Sequence, residues 1–133
     1  MSARVSVLVR DESMTGCEAG RVTLEDIPSQ ITMRDLIRTR VRDEVARYNA
    51  RPDGRFAGLV MPEGAEIGTG GYVLTPRRRV DWERQADQAI AAFDRNGFFV
   101  LVDDRQVTEL DAVLELSADS DIRFVRLVQL VGG

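Results

Sequence analysis

A chain of 133 residues has the length of one domain, able to bury roughly two thirds of its unfolded surface. Hydrophobic residues at 44% and charged ones at 30% are ordinary for a soluble globular protein, and a net charge of −4 argues against a nucleic-acid binder, which needs a basic footprint. No apolar run reaches the ~20 residues of a membrane span, no signal-peptide pattern opens the chain, and the single Cys17 leaves no internal disulfide. These features point to the cytoplasm.

Ala3 to Arg10 alternates, with Val5, Val7 and Val9 on one side and Arg4, Ser6, Leu8 and Arg10 on the other, which predicts a strand. Asp11 to Gly20 is polar and turn-rich, and Arg21 to Glu25 alternates again, so the two strands read as a hairpin with a long tip that ends at Pro28 and Ser29. Cys17 sits at that tip beside Gly16, with no His or Lys near it in sequence, and it reads as an incidental thiol, with a redox handle as the alternative. A helix follows. Thr32 is its expected N-cap, with Asp35 three positions on, and Leu36, Ile37, Val41, Val45 and Tyr48 form an apolar stripe. Arg34, Arg38, Arg42, Asp43 and Arg47 fall mostly away from it, and Pro52-Asp53-Gly54 stops it.

Arg51 to Arg79 holds six of the 11 glycines and three of the four prolines. Phe56 to Val60 and Gly71 to Leu74 are candidate strands of a small extra hairpin or lobe. Gly68-Thr69-Gly70-Gly71 offers backbone N–H groups to an anion but lacks a P-loop's Lys-Ser/Thr, and reads as a connector. Arg77-Arg78-Arg79 reads as a solvated run, with contact to a phosphate or an acidic partner, as in docking to an activating enzyme, as its alternative use. A second helix is expected from about Trp82 to Arg95, N-capped by Asp81 and stopped by Asn96-Gly97, with Trp82, Ala86, Ala89, Ile90 and Phe93 on one face.

From Phe98 an apolar strand, the acidic turn Asp103-Asp104, a leucine-rich segment from Leu110 to Leu116 and the turn Asp119-Ser120-Asp121 lead into a final strand. There Ile122, Phe124 and Arg126 share one parity and Val125, Leu127 and Gln129 the other, with the apolar residues read as core up to Val128. The aspartates fit no EF-hand spacing and are explained by capping of turn amides, so no metal site is expected. The sequence finishes Leu130-Val131-Gly132-Gly133, and glycine's missing Cβ lets such a tail lie flat in a narrow active site.

From Phe98 to Gly133 the chain resembles the β-grasp superfamily of ubiquitin and the sulfur carriers of molybdopterin and thiamin synthesis, in particular bacterial ubiquitin-like proteins with a C-terminal Gly-Gly. Asp119-Ser120-Asp121-Ile122 would be the turn into the last strand and Val131-Gly132-Gly133 the activated tail; elsewhere the resemblance rests on element order alone. It implies an α+β, β-grasp fold: a mixed sheet packed on a helix, in a single domain over 1–133, here with an inserted Gly/Pro-rich lobe at about 51–80 and a second helix. It also implies a ubiquitin-like modifier whose Gly133 carboxylate is adenylated by an activating enzyme, with ATP used by that partner and no cofactor bound by this chain. Gly132 would give clearance, Leu130 and Val131 would anchor the tail, and Arg123 and Arg126 would steer docking. A conjugating enzyme and target proteins are the further partners; neither nucleic acid nor membrane is expected. A sulfur carrier with a C-terminal thiocarboxylate and a non-covalent β-grasp interaction module remain as alternatives.

All 18 basic residues are arginine, and there is neither lysine nor histidine. A GC-rich genome explains the first absence; so does a modifier that must not become its own lysine target. The missing histidine removes the commonest general base, and no intrinsic enzyme activity is expected.

Overall fold

The computed structural model describes residues 3–50, 55–68, 71–74 and 79–127. Its strands and helices are β1 (Arg4–Ser13), β2 (Glu18–Pro28), β3 (Gln30–Thr32), α1 (Met33–Ala50), β4 (Arg55–Phe56), β5 (Glu66–Gly68), β6 (Gly71–Val73), α2 (Trp82–Asp94), β7 (Phe98–Val102), β8 (Arg105–Val107), β9 (Val113–Glu115) and β10 (Ile122–Arg126). The architecture is α+β, and the residues divide into two compact units, Met1–Asp35 with Phe93–Gly133, and Leu36–Ala92. The second unit therefore takes in most of both helices besides the 51–80 stretch.

The first unit is built on a mixed five-stranded sheet of order β2-β1-β10-β7-β8. β10 runs parallel to β1, from Val9↔Ile122 to Ser13↔Arg126, and antiparallel to β7, from Ile122↔Val102 to Arg126↔Phe98. Strand period sends Val7, Val9, Ile122, Phe124, Phe98 and Val100 to the buried face. Phe98 stacks on Phe124 with ring centroids 5.8 Å apart, and Phe93 lies 5.9 Å from Phe98. Leu127, expected in the core, is instead 40% exposed one residue beyond the end of β10, and Val128 lies outside the described residues.

The first hairpin is longer and its tip shorter than the sequence suggests. Backbone pairing carries β1 on to Ser13 and starts β2 at Glu18, because ladder hydrogen bonds tolerate polar side chains on an open face. Gly16 (φ +83°) and the Ser13 N–H to Cys17 carbonyl bond of 2.9 Å close the turn, and Cys17 is an exposed free thiol. The β7–β8 hairpin turns on Asp103 and Asp104, both left-handed (φ 50° and 67°), the geometry a two-residue hairpin loop requires. Asp103 also accepts the Asp121 N–H at 2.9 Å and donates its own N–H to the Asp121 carbonyl at 2.8 Å. Its turn role thus has a complete hydrogen-bond explanation.

A short pairing of β3 with β9, from Gln30↔Glu115 to Thr32↔Val113, was not legible in the sequence. It positions the start of α1. Thr32 caps the Asp35 N–H at 3.1 Å, while the Met33 and Arg34 N–H groups donate to the Ala112 and Leu110 carbonyls, both at 2.9 Å.

In the second unit the α1 stripe is buried as expected: Leu36, Ile37, Val41, Val45 and Tyr48. The small sheet has order β4-β6-β5. Of the expected Phe56–Val60 strand only Phe56 is paired, together with Arg55 before it; Gly58 to Val60 bend away, and Glu66–Gly68 supplies the third strand. The Leu59 N–H in this bend donates to Glu44, and only glycine fits at position 58, where a Cβ would stand 2.1 Å from Phe56 Cε1 and 2.6 Å from Glu44 Oε2. Gly71 (φ +150°) is equally constrained, since its Cβ would meet the Phe56 carbonyl oxygen at 2.9 Å. Gly68 pairs with Gly71 across Thr69 and Gly70, which lie outside the described residues. α2 starts with Asp81 accepting the Glu83 N–H at 3.0 Å and is followed by Asn96 in the left-handed region (φ 60°), as the capping residues foretell.

Candidate functional site

Strand β10 connects the sheet to the diglycine end. It is the middle strand of five, and its last residue, Arg126, stands in register with Ser13 at the end of β1 and Phe98 at the start of β7. Leu127 therefore emerges from the end of this central strand, on the side of the sheet where β1 turns. Leu130, Val131, Gly132 and Gly133 lie outside the described residues.

The two arginines singled out for docking project to opposite faces of β10, as a strand period of two dictates. Arg126 lies on the buried parity with Phe124, and its Nη2 reaches Asp11 Oδ2 at 3.2 Å. Arg123 lies on the other face, 21% exposed, among three carboxylates: Glu12 at 3.6 Å, Asp121 at 3.6 Å, and Asp104, which accepts a hydrogen bond from its Nη2. Arg10, the register partner of Arg123, donates to Asp121. Its pKa is raised, first by that hydrogen bond, with desolvation opposing and the charges of Asp121, Glu12 and Glu18 adding to the rise. Two arginines side by side on neighbouring strands repel, and this acidic cluster offsets that repulsion. Both proposed docking cations are thus engaged in the chain's own ion pairs. The partners Asp11 and Glu12 carried no signal in the sequence, because only the parallel pairing of β1 with β10 brings them there.

The second unit has two further polar features. Arg40 and Glu44, one turn apart on α1, form an ion pair of 2.7 Å with side chains 3% and 7% exposed, and Glu44 also accepts the Leu59 N–H at 3.0 and 3.2 Å. A cavity of about 420 Å³ opens between the Pro62–Gly64 turn and the start of α2, lined by Glu63, Arg79, Asp81, Arg84 and Gln85. Arg79 is the described member of the Arg77-Arg78-Arg79 run; the other two lie outside the described residues. Trp82 is half-buried, with the Arg38 and Arg42 guanidinium carbons 5.2 and 5.3 Å from its ring centroid.

Among the described residues no cluster of His, Cys, Asp and Glu has the arrangement to hold a metal ion, and no helix is long and apolar enough to cross a membrane. No protein-family model matches the chain, and no curated protein or solved structure matches it at a significant level.

Proposed function

We propose that this chain is a ubiquitin-like β-grasp protein that serves as the substrate of an adenylating enzyme through Gly133. The observation that carries the reading is the Gly132-Gly133 pair, six and seven residues beyond a strand that is paired on both sides. The order hairpin, helix, mixed sheet supports a β-grasp, as does the placing of the last strand beside the first. Pairing of β10 on both sides fixes the point at Leu127 from which the tail departs.

In the reaction, a Gly133 carboxylate oxygen attacks the α-phosphate of ATP, pyrophosphate leaves, and an acyl-adenylate forms. A partner thiolate then displaces AMP to give a thioester, and a target amine displaces the thiol to leave an amide. This chain supplies the carboxylate and the partner supplies the acid–base groups, in keeping with a sequence without histidine. Since there is no lysine, a side-chain amine of another copy is not an acceptor. Each conjugation event then adds one copy unless an N-terminal amine serves.

The test expresses an N-terminally tagged chain and a copy lacking Gly132-Gly133 in the native host, with denaturing blots and intact-mass spectrometry on both. Higher-mass conjugates that require the diglycine are the expected result. A replacement of oxygen by sulfur on the free protein, without conjugates, would make it a sulfur carrier instead. Identical behaviour of the two chains, with the activating enzyme present, would refute tail activation and leave an interaction module.

A further inference from the structure

The cavity beside α2 is walled by segments that side-chain amides hold in place. Asn49, near the end of α1, accepts the Val80 N–H at 2.9 Å and donates to the Val80 carbonyl at 3.0 Å. Gln85 donates through Nε2 to the Val60 carbonyl at 2.7 Å. The turn after Val60 closes on itself, with the Ala65 N–H bonded to the Pro62 carbonyl at 3.1 Å and Gly64 left-handed (φ 79°). All of these residues belong to the second unit, so the cavity lies within one compact body. Its volume of about 420 Å³ falls in the range of small-molecule sites, and walls fixed before a ligand arrives lower the cost of ordering them.

Gln85 is only 2% exposed, yet half of its amide is unspent. A carbonyl can only accept, so Val60 holds the NH2 end toward itself and leaves Oε1 as the polar atom that Gln85 offers to the cavity. Oε1 accepts no hydrogen bond among the described residues. A buried acceptor of this kind is costly unless a donor meets it. Asp81 and Gln88 line the same wall, at helical spacing from Gln85. Asp81 spends Oδ1 on the Glu83 N–H and keeps its second oxygen.

The cations of the lining are open as well. Arg79 is exposed and forms no ion pair among the described residues. Arg84 has only a contact of 4.0 Å with Glu63, too long for a hydrogen bond. Two guanidinium forks are thus free to take a carboxylate. The lining also carries Glu63 and Asp81, two negative charges to the two positive ones, so a plain anion meets repulsion as well as attraction. A ligand that carries both signs meets a partner for each. We propose that this cavity binds a small zwitterion of the amino-acid type, its carboxylate held by Arg79 and Arg84 and its ammonium group donating to Gln85 Oε1 and Asp81. The site uses neither Gly133 nor the strand that leads to it.

A ¹H–¹⁵N NMR titration of the full chain with glycine, L-leucine, L-glutamine and L-arginine tests this. The backbone amides of Gly64, Arg84 and Gln85 and the Gln85 side-chain NH2 should shift together and saturate for at least one of the four, with Kd roughly 0.1–10 mM. The N-acetyl form of that amino acid lacks the ammonium and its amide lacks the carboxylate; each should bind about tenfold more weakly or worse. Arg79→Gln should weaken binding about fivefold or more, whereas Arg95→Gln, which removes the same charge at an exposed position beyond α2, should leave it unchanged. Gln85→Met keeps the side-chain volume, loses the acceptor and should also weaken binding, with circular dichroism to check folding; Arg79→Gln tests the site even if that variant unfolds. A chain lacking Gly132-Gly133 should bind as the wild type does. Absence of saturable shifts with all four amino acids, an N-acetyl form that binds as well as its parent, or equal losses in Arg79→Gln and Arg95→Gln would overturn the proposal.

Discussion

Removing Glu44 tests whether the buried charge on α1 organises the segment that follows it. In Glu44→Ala, Arg40, itself 2% exposed, loses the carboxylate that accepts its Nε–H at 2.7 Å. The Leu59 N–H loses an acceptor that lies at 3.0 and 3.2 Å. Taking one partner from a buried ion pair costs about 3–5 kcal/mol, and a buried amide left without its acceptor about 1–3 kcal/mol. The two share one side chain and do not add, so about 4 kcal/mol is expected in total. At this chain length a loss of that size lowers Tm by roughly 12–15 °C. Glu44→Gln keeps a carbonyl for Leu59 but no charge for Arg40 and should lose about half as much. Asp43→Ala removes the more exposed Arg47–Asp43 pair on the same helix (3.1 Å, side chains 62% and 33% exposed) and should change stability by no more than about 0.5 kcal/mol. Urea denaturation followed by circular dichroism, with thermal scans alongside, measures all three. If Glu44→Ala falls within about 1 kcal/mol of the wild type, the pair is not what holds the Gly58–Val60 bend and the reasoning fails.

Gly58→Ala should destabilise by about 2 kcal/mol or more in the same assay, because the added methyl overlaps the Phe56 ring and the Glu44 carboxylate. Thr32→Ala should lose about 1 kcal/mol with the cap on Asp35, and Thr32→Ser should recover most of it. At Asn96, φ 60° predicts that Gly is tolerated or slightly stabilising while Val destabilises by about 1–2 kcal/mol, again read from denaturation midpoints. Asp103→Ala should weaken the β7–β8 turn by about 1–2 kcal/mol through the lost acceptor for Asp121, with the largest rise in amide exchange at Asp121.

Local signals carried most of the element reading. Thr32 and Asp81 marked helix starts, Asn96-Gly97 a helix end, and the valine alternation of β1 its buried face, since caps and strand parity are decided within a few residues. What stayed hidden needed partners distant in sequence. β3 is three residues long and exists through Leu114 and its neighbours, more than 80 positions away. Arg40 and Glu44 read as surface charges by type, and only the chain returning at Leu59 makes their burial sensible. The need for glycine at position 58 arises from a ring and a carboxylate that no local pattern joins. At the candidate site the sequence supplied the diglycine and the strand leading to it, whereas the carboxylates around Arg123 and Arg126 follow from the β1–β10 register.

That register also has a mechanical meaning. β1 opens the described chain and β10 closes it, side by side and parallel, so traction applied to the two ends draws the strands past each other lengthwise. Their hydrogen bonds are then loaded together in shear instead of being opened one by one as in the peeling of a hairpin, and β7 shares the load from the other side. A partner machine that pulls on this protein from beyond Leu127 meets the most resistant element first, whereas a pull on the Met14–Cys17 loop would peel β2 from β1 at far lower force.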